Sequence, residues 1–212
     1  TYDLANENPD LASAFSPYTK QRINRFLHIA ESEKDLILQN KMQRKLGQLT
    51  GTCFQRCVGM DAINSLHSVT YDIDESHKTN YHNRFISFLT TIQKQGLVIG
   101  GAMTDVKGDR SLLPHQQSDP DLFVHVIDRN DDGVFITGAK AHQTGVINSH
   151  WMIVMPTLRL TENDKEYAIV GAIPVDAKGI TYIYGRQSGD ERHMDNTPID
   201  AGNNNYAGQE AL

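Results

Sequence analysis

Cysteine, tryptophan and long apolar runs are what this sequence has least of. Its 212 residues include two cysteines, four apart at positions 53 and 57, which excludes the disulfide framework that staples small secreted domains. The scarcity suits a reducing compartment, and a cytoplasmic location is the expectation. The longest apolar runs, Gly96–Met103 and Tyr167–Val175, are less than half of the ~20 residues that cross a bilayer. No charged-then-apolar leader opens the chain, so no membrane partner is expected. Basic runs are missing as well. Lys and Arg number 20 against 26 Asp and Glu, a net charge of −6, which argues against a nucleic-acid partner. Neither a Gly-x-Gly-x-x-Gly leading into a helix nor a Walker loop occurs, so neither familiar mode of nucleotide binding is indicated.

What is present reads as an ordinary globular protein: 39% of residues are hydrophobic and 22% charged, which excludes disorder over most of the length. The size allows one large domain or two modest ones. The chain opens at Thr1 without Met and stops at Leu212 inside the helix-compatible stretch from Asn205. It therefore reads as part of a longer polypeptide.

Up to Gly96 the apolar spacing is helical. Ser16-Pro17 offers an N-cap and a first-turn proline, followed by Ile23, Phe26, Leu27 and Ala30 at helical intervals. A second helix is expected from Ser32 to a stop at Gly47. A third begins near Thr52 and carries Cys53, Cys57, Met60, Ile63 and Leu66, and a fourth runs from about Asn80 to a C-cap at Gly96. Beyond Gly96 the period falls to two. Leu122 to Ile127 and Val134 to Ala139 flank Asn130-Asp131-Asp132-Gly133 as a hairpin, with further strands expected at Trp151–Leu160, Tyr167–Val175 and Ile180–Gly185. A surface loop is expected over Ser188–Asn205. The fold class is α+β: a helical domain over 1–96, an antiparallel β-domain over 97–200, and the start of a further helical region over 201–212.

Two features carry chemistry. On a helix, Cys53 and Cys57 lie at i and i+4 and can present two thiolates to one inorganic centre. The same spacing suits two small buried hydrophobes, and spacing alone does not choose. The chain has no third cysteine, and none of its nine histidines is singled out by spacing, so a four-cysteine site or a closed zinc site lacks ligands. The second feature is Gly100 to Arg110, with Gly138 to Gly145 some thirty residues on. Gly, Thr and Asp at a strand exit can meet a planar heterocycle, and Lys107 or Arg110 a phosphate. They are also what turns require.

The segments Thr50–Ala62, Thr104–Arg110 and Ala141–Gly145 resemble the 4-hydroxybutyryl-CoA dehydratase family, which also isomerises vinylacetyl-CoA. The resemblance implies an acyl-CoA dehydrogenase-like fold with an N-terminal helical domain, a middle β-barrel or sandwich and a C-terminal helical bundle. Only the first two are represented here. It implies an acyl-CoA substrate, a homotetramer, FAD and a 4Fe–4S cluster held by three Cys and one His, with Cys53 and Cys57 as two of the ligands. Flavin contacts would come from Met103, Thr104, Asp105, Lys107, Gly108, Asp109, Arg110, His142, Gln143 and Thr144. Gln55, Thr144 and Glu210 are implied in the active site, and the base for the α-proton is expected outside this chain. The β-hydrogen of a 4-hydroxyacyl thioester is not acidified by the carbonyl, so an ordinary general base has no accessible proton to take; the family's radical route, with flavin as transient one-electron acceptor and the cluster as Lewis acid, answers that difficulty. The wider family includes flavin-dependent 4-hydroxyphenylacetate hydroxylases without the cysteine pair, which is the alternative reading. Without the bundle, an exposed apolar face is expected around Phe85, Phe88 and Ile92.

Overall fold

The computed structural model describes residues 2–51, 57–131, 133–143 and 145–183. They fall into two compact units, Thr1–Gly100 with Asn148–His150, and Gly101–Ile147 with Trp151–Leu212.

The first unit opens with short helices α1 (Tyr2–Glu7) and α2 (Pro9–Ala12), then a hairpin of β1 (Ser13–Ser16) and β2 (Gln21–Asn24). The helix expected after Ser16-Pro17 is therefore absent. Ser16 caps no helix: its Oγ accepts from Tyr18 N at 3.2 Å and Thr19 N at 3.3 Å and closes the hairpin turn instead. It donates to Gln93 Oε1 at 2.6 Å, and Gln93 Nε2 donates to Leu27 O at 2.8 Å. A contact 77 residues distant thus holds the turn. Helix α3 spans Glu33–Thr50 and is capped by Ser32, whose Oγ accepts from Asp35 N. It runs past Gly47 and stops at Gly51, because Gly51 is the residue that adopts the left-handed φ of 68° needed to close the C-terminus.

Helix α4 spans Cys57–His77 and α5 Tyr81–Gln95, with Asn80 and Gly96 as its flanking caps as the sequence predicts. Leu4, Phe26, Met42, Leu46 and Met60 form one buried cluster of this unit. Phe85 and Ile92 are buried and Phe88 is half-buried. The exposed face expected there does not exist, because the stripe of α5 is spent within the chain.

Strand β3 covers Ile99–Ala102, β4 His125–Asn130, β5 Gly133–Thr137, β6 Trp151–Val154 and β7 Gly171–Pro174. The described strands form three separate sheets, β1-β2, β4-β5 and β3-β6-β7, and no closed barrel. Pairs β4-β5 and β6-β7 are antiparallel. His150 N donates to Val98 O and Met155 N to Ala102 O, so β3 and β6 advance in the same sense and their sheet is mixed, not purely antiparallel.

Several expected strands are shorter. Leu122 ends a tight helical turn over Pro120–Leu122 capped by Asp119. β6 stops at Val154, before Pro156, which has no N–H for a ladder. Tyr167 closes a 3-10 run over Glu162–Tyr167, and residues 180–183 are irregular. The expectations for Gly185, for Ser188–Asn205 and for the helix from Asn205 lie outside the described residues. No described helix is long and apolar enough to cross a membrane.

Candidate functional site

The two loops singled out in the sequence meet in the second unit. Asp105, in the segment leaving β3, and Lys140, in the segment leaving β5, form an antiparallel bridge, and Ala141 N donates to Thr104 O at 2.9 Å. Met103 and Val106 are exposed beside it. The Asp105 carboxylate is buried: one oxygen meets Lys140 Nζ and the other accepts from Thr157 Oγ1 at 2.7 Å. Burial pulls the Lys140 pKa below its usual value, and Asp105 opposes that pull.

Past the bridge the chain bends sharply on both sides. Lys107 and Gly108 take left-handed φ values of 79° and 49°, and His142 takes 61°. Asp109 turns back on its own loop, where its Oδ1 accepts from Ser111 N and Ser111 Oγ at 2.9 and 2.6 Å. These bonds hold its carboxyl below the usual carboxylate range. Gln117 secures the same turn, accepting from Asp109 N and donating to Asp109 O. Arg110 is exposed, and Gln143 is buried with its amide donating to Ala141 O. The antiparallel bridge holds the two segments together at Thr104–Asp105 and Lys140–Ala141, and polar backbone turns of this kind can meet a flat polar ring system and its phosphates.

Of the residues named from the sequence, Met103, Thr104, Asp105, Lys107, Gly108, Asp109 and Arg110 lie on one segment and His142 and Gln143 on the other, and the two segments meet at Thr104–Asp105 and Lys140–Ala141. Cys57 is the first residue of α4. Cys53, Gln55, Thr144 and Glu210 lie outside the described residues. Among the described residues there is no group of three or more His, Cys, Asp or Glu arranged to hold a metal.

Sequence reading missed two arrangements. Lys140 passed as part of a turn, although a lysine directly after a strand and before an apolar residue is a candidate for inward placement. Asp164 lies between two expected strands in the polar stretch from Thr161 to Lys165, which has the composition of a turn, yet it is fully buried. It accepts from Thr161 N and Oγ1 at 2.9 and 2.6 Å, and from His115 N and Nδ1 at 3.1 and 2.7 Å. Burial works to raise its pKa, but these four bonds prevail and hold the carboxyl well below its ordinary range. The Thr-x-x-Asp spacing of a capping box was the available signal.

The family model for the N-terminal part of 4-hydroxyphenylacetate 3-hydroxylase matches residues 1–212. The chain is 52% identical over its whole length to the 4-hydroxybutyryl-CoA dehydratase/vinylacetyl-CoA-Delta-isomerase of Clostridium aminobutyricum, covering 44% of that protein. It is 28% identical, over 89% of its length, to the oxygenase component of a 4-hydroxyphenylacetate 3-monooxygenase from a Geobacillus species, covering 40% of it. Among solved structures, an oxygen-tolerant archaeal 4-hydroxybutyryl-CoA dehydratase from N. maritimus superposes with a TM-score of 0.89 at 66% identity, over 99% of this chain and 42% of that one. An oxygenase component of 4-hydroxyphenylacetate 3-monooxygenase complexed with FAD superposes at 0.67 with 17% identity, over 90% of this chain and 39% of that one, a likeness of fold alone. The chain thus spans less than half the length of these relatives.

Proposed function

The chain belongs to the 4-hydroxyphenylacetate 3-hydroxylase N-terminal family, and from that premise we propose that the longer protein it represents dehydrates 4-hydroxybutyryl-CoA to crotonyl-CoA and isomerises vinylacetyl-CoA to the same product. The observation that carries this reading is 52% identity to a dehydratase/isomerase over the entire chain, against 28% to the monooxygenase relative. The complete protein is a lyase with isomerase activity and acts on an acyl-CoA as a cytoplasmic homotetramer. Its architecture is acyl-CoA dehydrogenase-like, with this chain supplying the helical and β-rich parts and a C-terminal bundle the remainder.

FAD fits the paired turns. Their geometry is set by protein hydrogen bonds, the two segments are joined at Thr104–Asp105 and Lys140–Ala141, and Met103, Arg110 and His142 are exposed on them. Met103, Thr104, Lys107, Gly108 and Arg110 hold the cofactor from one segment, and His142, Gln143 and Thr144 from the other. Cys53 and Cys57 supply two thiolates for a 4Fe–4S cluster, whose other two ligands come from beyond this chain. When bound, FAD offers a transient one-electron acceptor and the cluster a Lewis acid for the departing hydroxyl. Gln55, Thr144 and Glu210 bind and orient the thioester, and the base for the α-proton lies in the remainder of the protein.

The test is to purify the full-length protein without oxygen, count flavin, iron and acid-labile sulfide, and assay 4-hydroxybutyryl-CoA. Flavin, about four irons per chain and crotonyl-CoA formation are expected. Flavin without iron, together with oxygen-dependent hydroxylation of a phenol, would replace this reading with the monooxygenase.

A further inference from the structure

The ion pair between Asp105 and Lys140 is the most enclosed of the described residues, with side chains 3% and 9% exposed. An ammonium has three protons to place, and each finds an acceptor. Lys140 Nζ donates to Asp105 Oδ1, to Met103 O at 3.0 Å and to Met155 O at 2.8 Å. The second Asp105 oxygen accepts from Thr157. One side chain therefore ties the segment leaving β3, the segment leaving β5 and the end of β6 together.

What lies just beyond the pair shows why such a tie is needed. Lys107 is two residues past Asp105, and His142 is two residues past Lys140; both are non-glycine residues with left-handed φ. That conformation is disfavoured for a residue with a Cβ and persists only where the surroundings over-determine it. Among the described residues the other two of this kind, Lys20 and Lys78, belong to the first unit. Strain on both sides of one buried ion pair, within the segments assigned to the flavin, makes the pair a clamp on two turns.

We propose that Lys140 is a positioning residue for the flavin: it locks the 103–110 and 140–143 segments into their cofactor-holding shape before the cofactor arrives, and Asp105 acts through Lys140 without itself touching the flavin. The inference rests on the flavin reading above and assigns Asp105 a different part in it. A direct ligand would need to reach the cofactor, and Asp105 is buried with its two oxygens turned to Lys140 and Thr157.

The experiment compares full-length wild type with Lys140→Met, Lys140→Arg, Asp105→Asn and the double variant Asp105→Asn/Lys140→Met. Three quantities are read: the FAD dissociation constant, the visible circular dichroism of bound flavin, and hydrogen exchange at amides 104–107 and 141–143 in the cofactor-free protein. Lys140→Met should weaken FAD by about 10- to 100-fold, by analogy with the loss of a group that orients the ligands of a metal. It should also alter the flavin dichroism and speed exchange at those amides alone. Lys140→Arg, which keeps the charge but not the compact donor geometry, should fall between. Because the two residues act as one unit, the double variant should lose little more than the worse single one. Additive losses would show that Asp105 contacts the flavin independently and overturn the proposal. So would wild-type FAD affinity in Lys140→Met, or a loss matched by exchange throughout the protein in Lys140→Met, Lys140→Arg and Asp105→Asn alike. Wild-type protein that takes up no FAD would sink the flavin reading itself, and unchanged exchange at the two turns in Lys140→Met would then sink the clamp as well.

Discussion

Gly59→Ala is the substitution in which two effects of opposite sign can be weighed directly. Gly59 is buried in the first turn of α4, two residues after Cys57. A methyl group there gains helix propensity, worth about 1 kcal/mol over glycine. It also has nowhere to go: an added Cβ would stand 2.0 Å from Ile99 O, 2.7 Å from Ile99 C and 3.1 Å from Ile99 Cβ. A carbon and an oxygen in contact need a little over 3 Å, so α4 and the start of β3 must part by about 1 Å. The obstacle is backbone of a strand that is hydrogen-bonded to β6, not the end of a side chain that can swing aside. Overpacking of this kind costs about 3 kcal/mol, and after the propensity gain the net loss is about 2 kcal/mol. For a chain of this size that lowers the unfolding midpoint by about 4–8 °C, read by circular dichroism on heating. Gly171→Ala is the control, since its Cβ meets nothing within 4 Å and its φ is not left-handed; it should leave the midpoint unchanged or raise it. A Gly59→Ala protein as stable as wild type would mean that α4 does not approach β3 this closely.

Asp164→Asn removes an acceptor of four hydrogen bonds from a fully buried position and should cost about 2–4 kcal/mol in urea unfolding at neutral pH. The same carboxyl has a depressed folded-state pKa, so its stabilisation is complete above the unfolded value near ~3.9 and is lost as pH falls toward the lower folded value. Urea midpoints measured from neutral pH downward should fall below about pH 4 in wild type and less steeply in Asp164→Asn; parallel curves would refute the assignment. Ser16→Ala strips the hairpin turn of its acceptor and leaves Gln93 Oε1 buried without its donor, for a loss of about 1–3 kcal/mol on the same measurement. Cys57→Ser in the full-length protein should eliminate iron and dehydration while flavin absorbance stays near wild type, because the segments proposed to hold the flavin belong to the other unit; unchanged iron content would rule Cys57 out as a ligand.

What the sequence determined is local. Ser32 caps α3 and Gly96 ends α5, and the turn at Asn130–Gly133 joins β4 to β5, since each signal lies within a few residues of the groups it satisfies. The family resemblance was legible for a similar reason: Thr50–Ala62, Thr104–Arg110 and Ala141–Gly145 are short and distinctive. Other outcomes turned on partners far along the chain. A serine before a proline can cap a helix or close a turn, and Gln93, 77 residues on, is bonded where Ser16 closes the turn. Apolar residues after Val154 alternate as a strand would, but Pro156 has no N–H for a ladder, and Met155 O accepts from Lys140, 15 residues back in the chain. Asp105 has the composition of a ligand and Asp164 that of a surface turn, yet both are buried, because Lys140 lies 35 residues from one and His115 49 residues from the other. A carboxylate enters a protein interior only where cations and donors meet it, and the chain's path through space decides which carboxylates find them.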